Sequence, residues 1–189
     1  MKRVGNEKLF DFIGDLEAAY EKASREGDKA LVESLDILEL WDEGAETKWL
    51  YRVWKALQGD TLAQRESAWM FDWPHVDGEE ANPKYDRPEL AVYWYEMAAQ
   101  ADDSVAQCNL ANLYCGGRLP EKLWNGKRAV YWREKSAAHK EPQGMWGLAY
   151  CLDCGRCCKG GRNAARAAAL RKEADEILKA KGEDNDGKE

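Results

Sequence analysis

The stretch CLDCGRCCKGG, residues 151–161, holds four of the chain's six cysteines. Cys151, Cys154, Cys157 and Cys158 contain two C-x2-C steps, the spacing at which paired thiolates clasp a tetrahedral ion. A four-thiolate zinc site also needs more distant ligands, and the remaining cysteines are Cys108 and Cys115. On a helix over 103–115, Cys108, Asn112 and Cys115 share one stripe, opposite Ala106, Leu110 and Tyr114. Thirty-six residues on, Cys151 takes the place of Cys115. Cys115 and Cys151 are therefore expected to face one groove, with Cys154, Cys157 or Cys158 completing a zinc set. Two other readings stand beside it: packed or exposed structural thiols, and a disulfide. Helix axes about 8–10 Å apart oblige both thiolates to lean inward to share one ion.

Other chemistry has little to stand on. His75 and His139 fall in expected loops without a serine or cysteine nucleophile nearby, which makes surface histidines of both. There is no G-x-S-x-G, no phosphate-cradling glycine loop and no H-E-x-x-H. Glu79 and Glu80 adjoin on one loop instead of converging across a cleft, so a two-carboxylate mechanism lacks its geometry. The expectation is a protein that is not an enzyme and needs no cofactor, zinc aside.

The elements that position these residues repeat. AVYWYEMAAQ at 91–100 returns as AVYWREKSAA at 129–138, and with Trp94 on Trp132, Ala91, Ala98 and Ala99 fall on Ala129, Ser136 and Ala137. Small residues seven and eight apart return to one helix face. A third copy, ALRKEAD, places Leu170 and Ala174. A second helix alternates with this one: AQCNLANLYCGG carries Ala106, Leu110, Ala111 and Tyr114, and AQRESAWMF carries Ala63, Ala68 and Phe71 in the same order. Moved by thirty-six residues, Gln107, Leu110, Ala111 and Tyr114 become Gln143, Trp146, Gly147 and Tyr150, so Trp146 is expected in the core with Trp94 and Trp132. Internal periods of this length mark repeat architectures. The fold class is all-α: a right-handed α-solenoid of about four antiparallel helix pairs, preceded by a long N-terminal helix over 6–26. The repeat units run about 29–58, 61–101, 103–138 and 141–181 in a single domain, followed by a flexible acidic tail, 182–189.

At these residues the chain resembles the Sel-one-like repeat (SLR) family, relatives of the tetratricopeptide repeats, whose units read approximately A-x2-W/Y-x3-AA, a turn, then A-x3-L-G-x2-Y-x2-G. The match is good for Ala91–Gly117 and Ala129–Tyr150, moderate for 61–71 and 162–176, and weak before residue 60. The departures are two extended segments, WPHVDGEEANPKYDRP at 73–88 and LPEKLWNG at 119–126, expected on one rim. The resemblance implies scaffolding: a groove that holds another protein, without catalysis. Secreted cysteine-rich members bridge the helices within each unit, but the small positions they use are Ala99 and Ala137 here.

Charge divides the chain. Residues 60–103 carry eleven acids against three bases, whereas 104–181 carry fifteen bases against seven acids. The net charge of −7 argues against a general nucleic-acid binder. Unlike ends permit head-to-tail self-association. No stretch approaches a membrane span and the start lacks a secretory h-region, which gives a cytoplasmic expectation. Trp69 falls on the outward stripe of Asn112, and Trp73 and Trp124 lie in the inserted segments. The expected groove comprises Arg65, Trp69, Asp72, Cys108, Asn112, Cys115, Leu148 and Cys151. The acidic run 72–89, with Glu79 and Glu80, is expected to steer a basic protein partner. Two alternatives share these features: a small immunity or inhibitor protein against a basic toxin, and a metal- or redox-sensing module built on Cys151–Cys158.

Overall fold

The computed structural model describes residues 7–40, 47–72, 83–155 and 161–186, and their side chains except those of 7–11, 47, 83 and 183–186. Among the described residues there are helices and turns but no strand, as the 3.6-residue periodicity predicts. The α-helices are α1 (Glu7–Glu26), α2 (Lys29–Ile37), α3 (Thr47–Leu57), α4 (Thr61–Asp72), α5 (Pro88–Gln100), α6 (Ser104–Cys115), α7 (Gly126–Ala138), α8 (Pro142–Cys154) and α9 (Ala164–Asp186). Contacts divide the chain into two compact units, Met1–Trp94 and Tyr95–Glu189, and the division falls inside α5.

Helices α2, α4, α6, α7 and α9 each start where a short polar side chain satisfies an orphan backbone N–H. Asp28 Oδ1 accepts from Leu31 N (3.1 Å), Asp60 Oδ1 from Ala63 N (2.9 Å) and Asp103 Oδ1 from Ala106 N (2.7 Å). Asn125 Oδ1 accepts from Arg128 N (3.1 Å) and Asn163 Oδ1 from Arg166 N (3.0 Å). Stops are equally local: Gly27 (φ +80°) follows α1 and Gly155 (φ +69°) caps α8, both in the left-handed region that glycine enters without strain.

In the first unit α1 packs on α2 and on α3, and α3 packs on α4. The main neighbour of α2 is α1, and that of α3 is α4. Leu16, Leu35, Leu50, Val53, Ala68, Phe71 and Trp94 are fully buried. The Trp94 indole N–H donates to Ser34 Oγ (3.0 Å), which itself donates to Ala30 O (2.7 Å), so the largest ring of this core carries no unpaired polar atom. In the second unit α6 packs on α7, α7 on α8, α8 on α9, and α6 on α8. Val130, Leu148, Ala149, Cys151, Leu152 and Ala167 form one buried cluster there.

The period is visible in three equivalent backbone bonds. Arg87 N donates to Phe71 O (3.1 Å), Asn125 N to Tyr114 O (3.0 Å) and Asn163 N to Leu152 O (2.9 Å). Each ties the start of one helix to the last large residue of the helix before it. The donors Arg87, Asn125 and Asn163 are 38 residues apart, and so are the acceptors Tyr114 and Leu152. The partner of Tyr114 is therefore Leu152, and the thirty-six-residue alignment of α6 on α8 is two residues out of register. In the 38-residue register Ala106, Leu110, Ala111 and Tyr114 become Gly144, Leu148, Ala149 and Leu152, all buried. Trp146 and Tyr150, expected in the core, are 46% and 67% exposed. Ala91 and Ala129, and Ala98, Ser136 and Ala174, are buried as expected, and Ala167, 38 residues after Ala129, is buried with them.

The segments between paired helices contain short 3₁₀ turns, Pro83–Tyr85 and Glu121–Leu123, anchored by buried Tyr85 and Leu119. At the C-terminal end, α9 runs on to Asp186, past the expected end of helix at 181.

Candidate interaction surface and a buried guanidinium

The sequence-predicted residues separate into three groups. Leu148 and Asp72 are buried, Leu148 in the core cluster, and neither side chain can line a groove. Cys108 is buried as well, and burial, with the charge of Glu141 adding to it, pushes its thiol up to about 11. Trp69 is 49% exposed, Arg65 is half-buried, and Asn112, Cys115 and Cys154 are exposed. Trp124 is also 49% exposed, but its indole N–H donates to Leu119 O (2.7 Å), which holds the ring against its own loop. Trp73, Glu79, Glu80, Cys157 and Cys158 lie outside the described residues.

The corrected register exposes residues that sequence reasoning had assigned to the interior. Tyr150 is the 38-residue equivalent of Asn112, and Asn112 is the 43-residue equivalent of Trp69. The same position of the first helix in three successive pairs thus carries an exposed tryptophan, an exposed asparagine and an exposed tyrosine. In the second unit Trp146 and Tyr150 stand one turn apart on α8, beside Gly147.

Beneath that part of α8 lies Arg133, on α7, which is 7% exposed. Its Nη1 donates to Cys151 Sγ (2.7 Å) on α8, and its Nη2 to Cys115 Sγ (3.0 Å) and Asn112 Oδ1 (3.3 Å) on α6. Cys115 and Cys151 both meet one guanidinium, although in the 38-residue register the equivalent of Cys115 is Asp153 and not Cys151. A cation already sits where the two thiols meet, and among the described residues no group of three His, Cys, Asp or Glu side chains is placed to hold a metal ion. The acceptors around Arg133 are two sulfurs and an amide, and its Nε is buried without a hydrogen-bond partner. A buried cation whose bonds go to such soft acceptors is costly by several kcal/mol relative to one paired with a carboxylate. Burial pushes the Cys151 thiol up and the neighbouring guanidinium pulls it down, with burial the larger effect.

Local sequence explains how the arginine fits. It replaces Tyr95 of the preceding copy, whose hydroxyl accepts from Asn109 Nδ2 (3.2 Å). A Cβ on Gly147 would lie 2.7 Å from Arg133 Nε, so the glycine is the space the guanidinium occupies. One turn earlier, a Cβ on Gly144 would lie 2.2 Å from Ser136 Oγ, which donates to Ser104 O (2.8 Å). Both glycines face a larger or more polar side chain on α7 than the first copy has at that place. The signal was present in the echo itself, where AVYWY becomes AVYWR.

Electrostatic pairs tie the rest of the unit together. Glu96 Oε1 accepts from Tyr114 Oη (2.5 Å) and Arg128 Nη2 (2.6 Å), and the Arg128 guanidinium lies 4.8 Å from the Tyr114 ring centroid. Buried Gln107 donates to Ala99 O (3.2 Å), just as buried Gln64 of the first unit donates to Ala56 O (3.0 Å).

No family model matches the chain. Over 91 residues, 44% of the chain, it is 33% identical to an uncharacterized protein of Neisseria meningitidis serogroup B, covering 19% of that protein. Over 101 residues, 53% of the chain, it is 33% identical to an F-box protein of Arabidopsis thaliana, covering 24% of it. The chain therefore spans about a fifth to a quarter of the length of these curated relatives. Two solved structures are similar. A protective antigen of uropathogenic Escherichia coli strains that displays an SLR fold matches 82% of the chain at 27% identity with a TM-score of 0.55, over 32% of its own length. A Sel1 repeat protein from Oxalobacter formigenes matches 82% at 24% identity with a TM-score of 0.52, over 59% of its own length. Helix pairs repeating every 38 residues, joined by equivalent hydrogen bonds, define a helical-repeat protein of the α-solenoid class. Within that class its fold is similar to that of proteins described as Sel1 repeat (SLR) proteins.

Proposed function

We propose that this SLR chain is a cytoplasmic, non-enzymatic interaction module that binds a partner protein through the exposed aromatic face of α8. Trp146 and Tyr150 carry the reading: two large rings one turn apart, 46% and 67% exposed, on a helix whose opposite face is core. Rings held this way lose little side-chain entropy on binding and are frequent hot spots. Asn112 and Cys115 on α6 supply the polar edge of the same surface, since both bond to the guanidinium that also holds Cys151 of α8. In the first unit Trp69 and half-buried Arg65 mark a second contact surface. The acid-rich run through 60–103 suits a basic stretch of partner there.

The test compares affinity capture by the wild-type chain and by the Trp146→Ala/Tyr150→Ala double variant, with quantitative mass spectrometry, followed by calorimetry on the retained protein. Loss of about 2 kcal/mol, roughly thirtyfold in Kd, is expected for the pair. A partner that binds both chains equally overturns the assignment of α8.

A further inference from the structure

Arg133 brings two thiols from different helices onto one planar group. Cys115 is on α6 and exposed, Cys151 is on α8 and buried, and both sulfurs lie within 3.0 Å of the terminal nitrogens of the same guanidinium. All four described cysteines are free thiols. The two thiols differ in access: Cys115 is exposed, with its Sγ donating to Ala111 O (3.2 Å), whereas Cys151 is buried. The thiolate is the form that reacts with an oxidant, and the guanidinium places one positive charge against both sulfurs. Its other hydrogen bonds go to no carboxylate, so the charge available to balance a thiolate is not already taken.

We propose that Cys115 and Cys151 form an oxidant-responsive pair in which Cys115 is the reactive thiol and Cys151 resolves it into a disulfide joining α6 to α8. The oxidant is a hydroperoxide, with hydrogen peroxide as the simplest case. The Cys115 thiolate attacks one peroxide oxygen, the O–O bond breaks, and the departing hydroxide takes a proton to leave as water, giving a sulfenic acid at Cys115. The Cys151 sulfur then attacks the sulfenic sulfur, the S–O bond breaks, and the second oxygen leaves as water with the Cys151 proton. Two thiols have been oxidised by two electrons and one peroxide reduced to two waters. The guanidinium moves off the two sulfurs as they approach each other. The link joins the first helices of successive pairs, not the two helices of one pair, and it goes beyond the interaction reading without depending on it.

The test uses the full chain, fully reduced, treated with hydrogen peroxide, quenched with N-ethylmaleimide and digested for mass spectrometry. A Cys115–Cys151 cross-link that dithiothreitol removes is expected as the main disulfide. Cys115→Ser and Cys151→Ser should each abolish it, and the Cys151 variant should accumulate sulfenic acid at Cys115, trapped by dimedone. Serine keeps a hydrogen-bond acceptor for Arg133, and circular dichroism checks that both variants stay helical. Arg133→Gln, which removes the charge, should slow Cys115 oxidation about tenfold while leaving iodoacetamide labelling of Cys154 unchanged. Cross-links of Cys154, Cys157 or Cys158 in its place, or oxidation of Cys115 with Cys151 left reduced, overturn the proposal. So does a chain whose thiols all survive the peroxide.

Discussion

Replacing Leu148 and Tyr150 by alanine, one at a time, decides the register of α8. Leu148 is 1% exposed and packs with Val130, Ala149, Cys151, Leu152 and Ala167. Truncation to alanine removes three carbons, a transfer loss of about 2.4 kcal/mol at roughly 0.8 kcal/mol per methylene. The cavity left among these neighbours raises the cost to about 3–4 kcal/mol. Tyr150 is 67% exposed, so about a third of a ring worth roughly 200 Å² is covered. At about 25 cal/mol per Å² that is at most ~1.7 kcal/mol, and alanine keeps part of the contact, leaving a cost near 1 kcal/mol. Urea unfolding followed by far-ultraviolet circular dichroism reads both values by linear extrapolation. A Tyr150→Ala variant as damaged as Leu148→Ala would put Tyr150 in the core, restore the thirty-six-residue spacing and refute the argument from the three backbone bonds.

Gly147→Ala should destabilise the chain by about 1–2 kcal/mol despite alanine's better helix propensity, because the new Cβ meets Arg133 Nε at 2.7 Å. In an Arg133→Ala background the same change should become neutral or stabilising, which a double-mutant cycle measures. Ser34→Ala should cost about 1–3 kcal/mol in urea unfolding, since it strands the buried indole N–H of Trp94. Cys108 gives the alkaline limb of stability: its folded thiol holds its proton up to about 11 against an ordinary 9.0. That contribution is complete below pH 9.0 and is lost as the pH rises towards about 11, because above 9.0 the unfolded chain ionises first. A Cys108→Ala variant should show a flatter urea midpoint across that interval, and an unchanged slope removes Cys108 as its cause.

What the sequence by itself determined was whatever depends on spacing along one helix. The alternation of two helix types, the end of the first helix at 26 and the small residues at 91, 98, 129 and 136 were legible because each is a local backbone or same-face requirement. The thirty-six-residue spacing did not carry the meeting of Cys115 and Cys151, since the 38-residue equivalent of Cys115 is Asp153. Only the tertiary structure decided the register of α8. Aromatic and aliphatic residues fill a core position equally well, so Trp146 and Tyr150 matched the pattern as closely as Leu148 and Leu152, and nothing short of the bond from Asn163 to Leu152 separates two alignments two residues apart. It alone placed a guanidinium against both thiols. That outcome depends on the empty volume at Gly147, and an absent side chain acquires meaning only from the neighbour that fills its place.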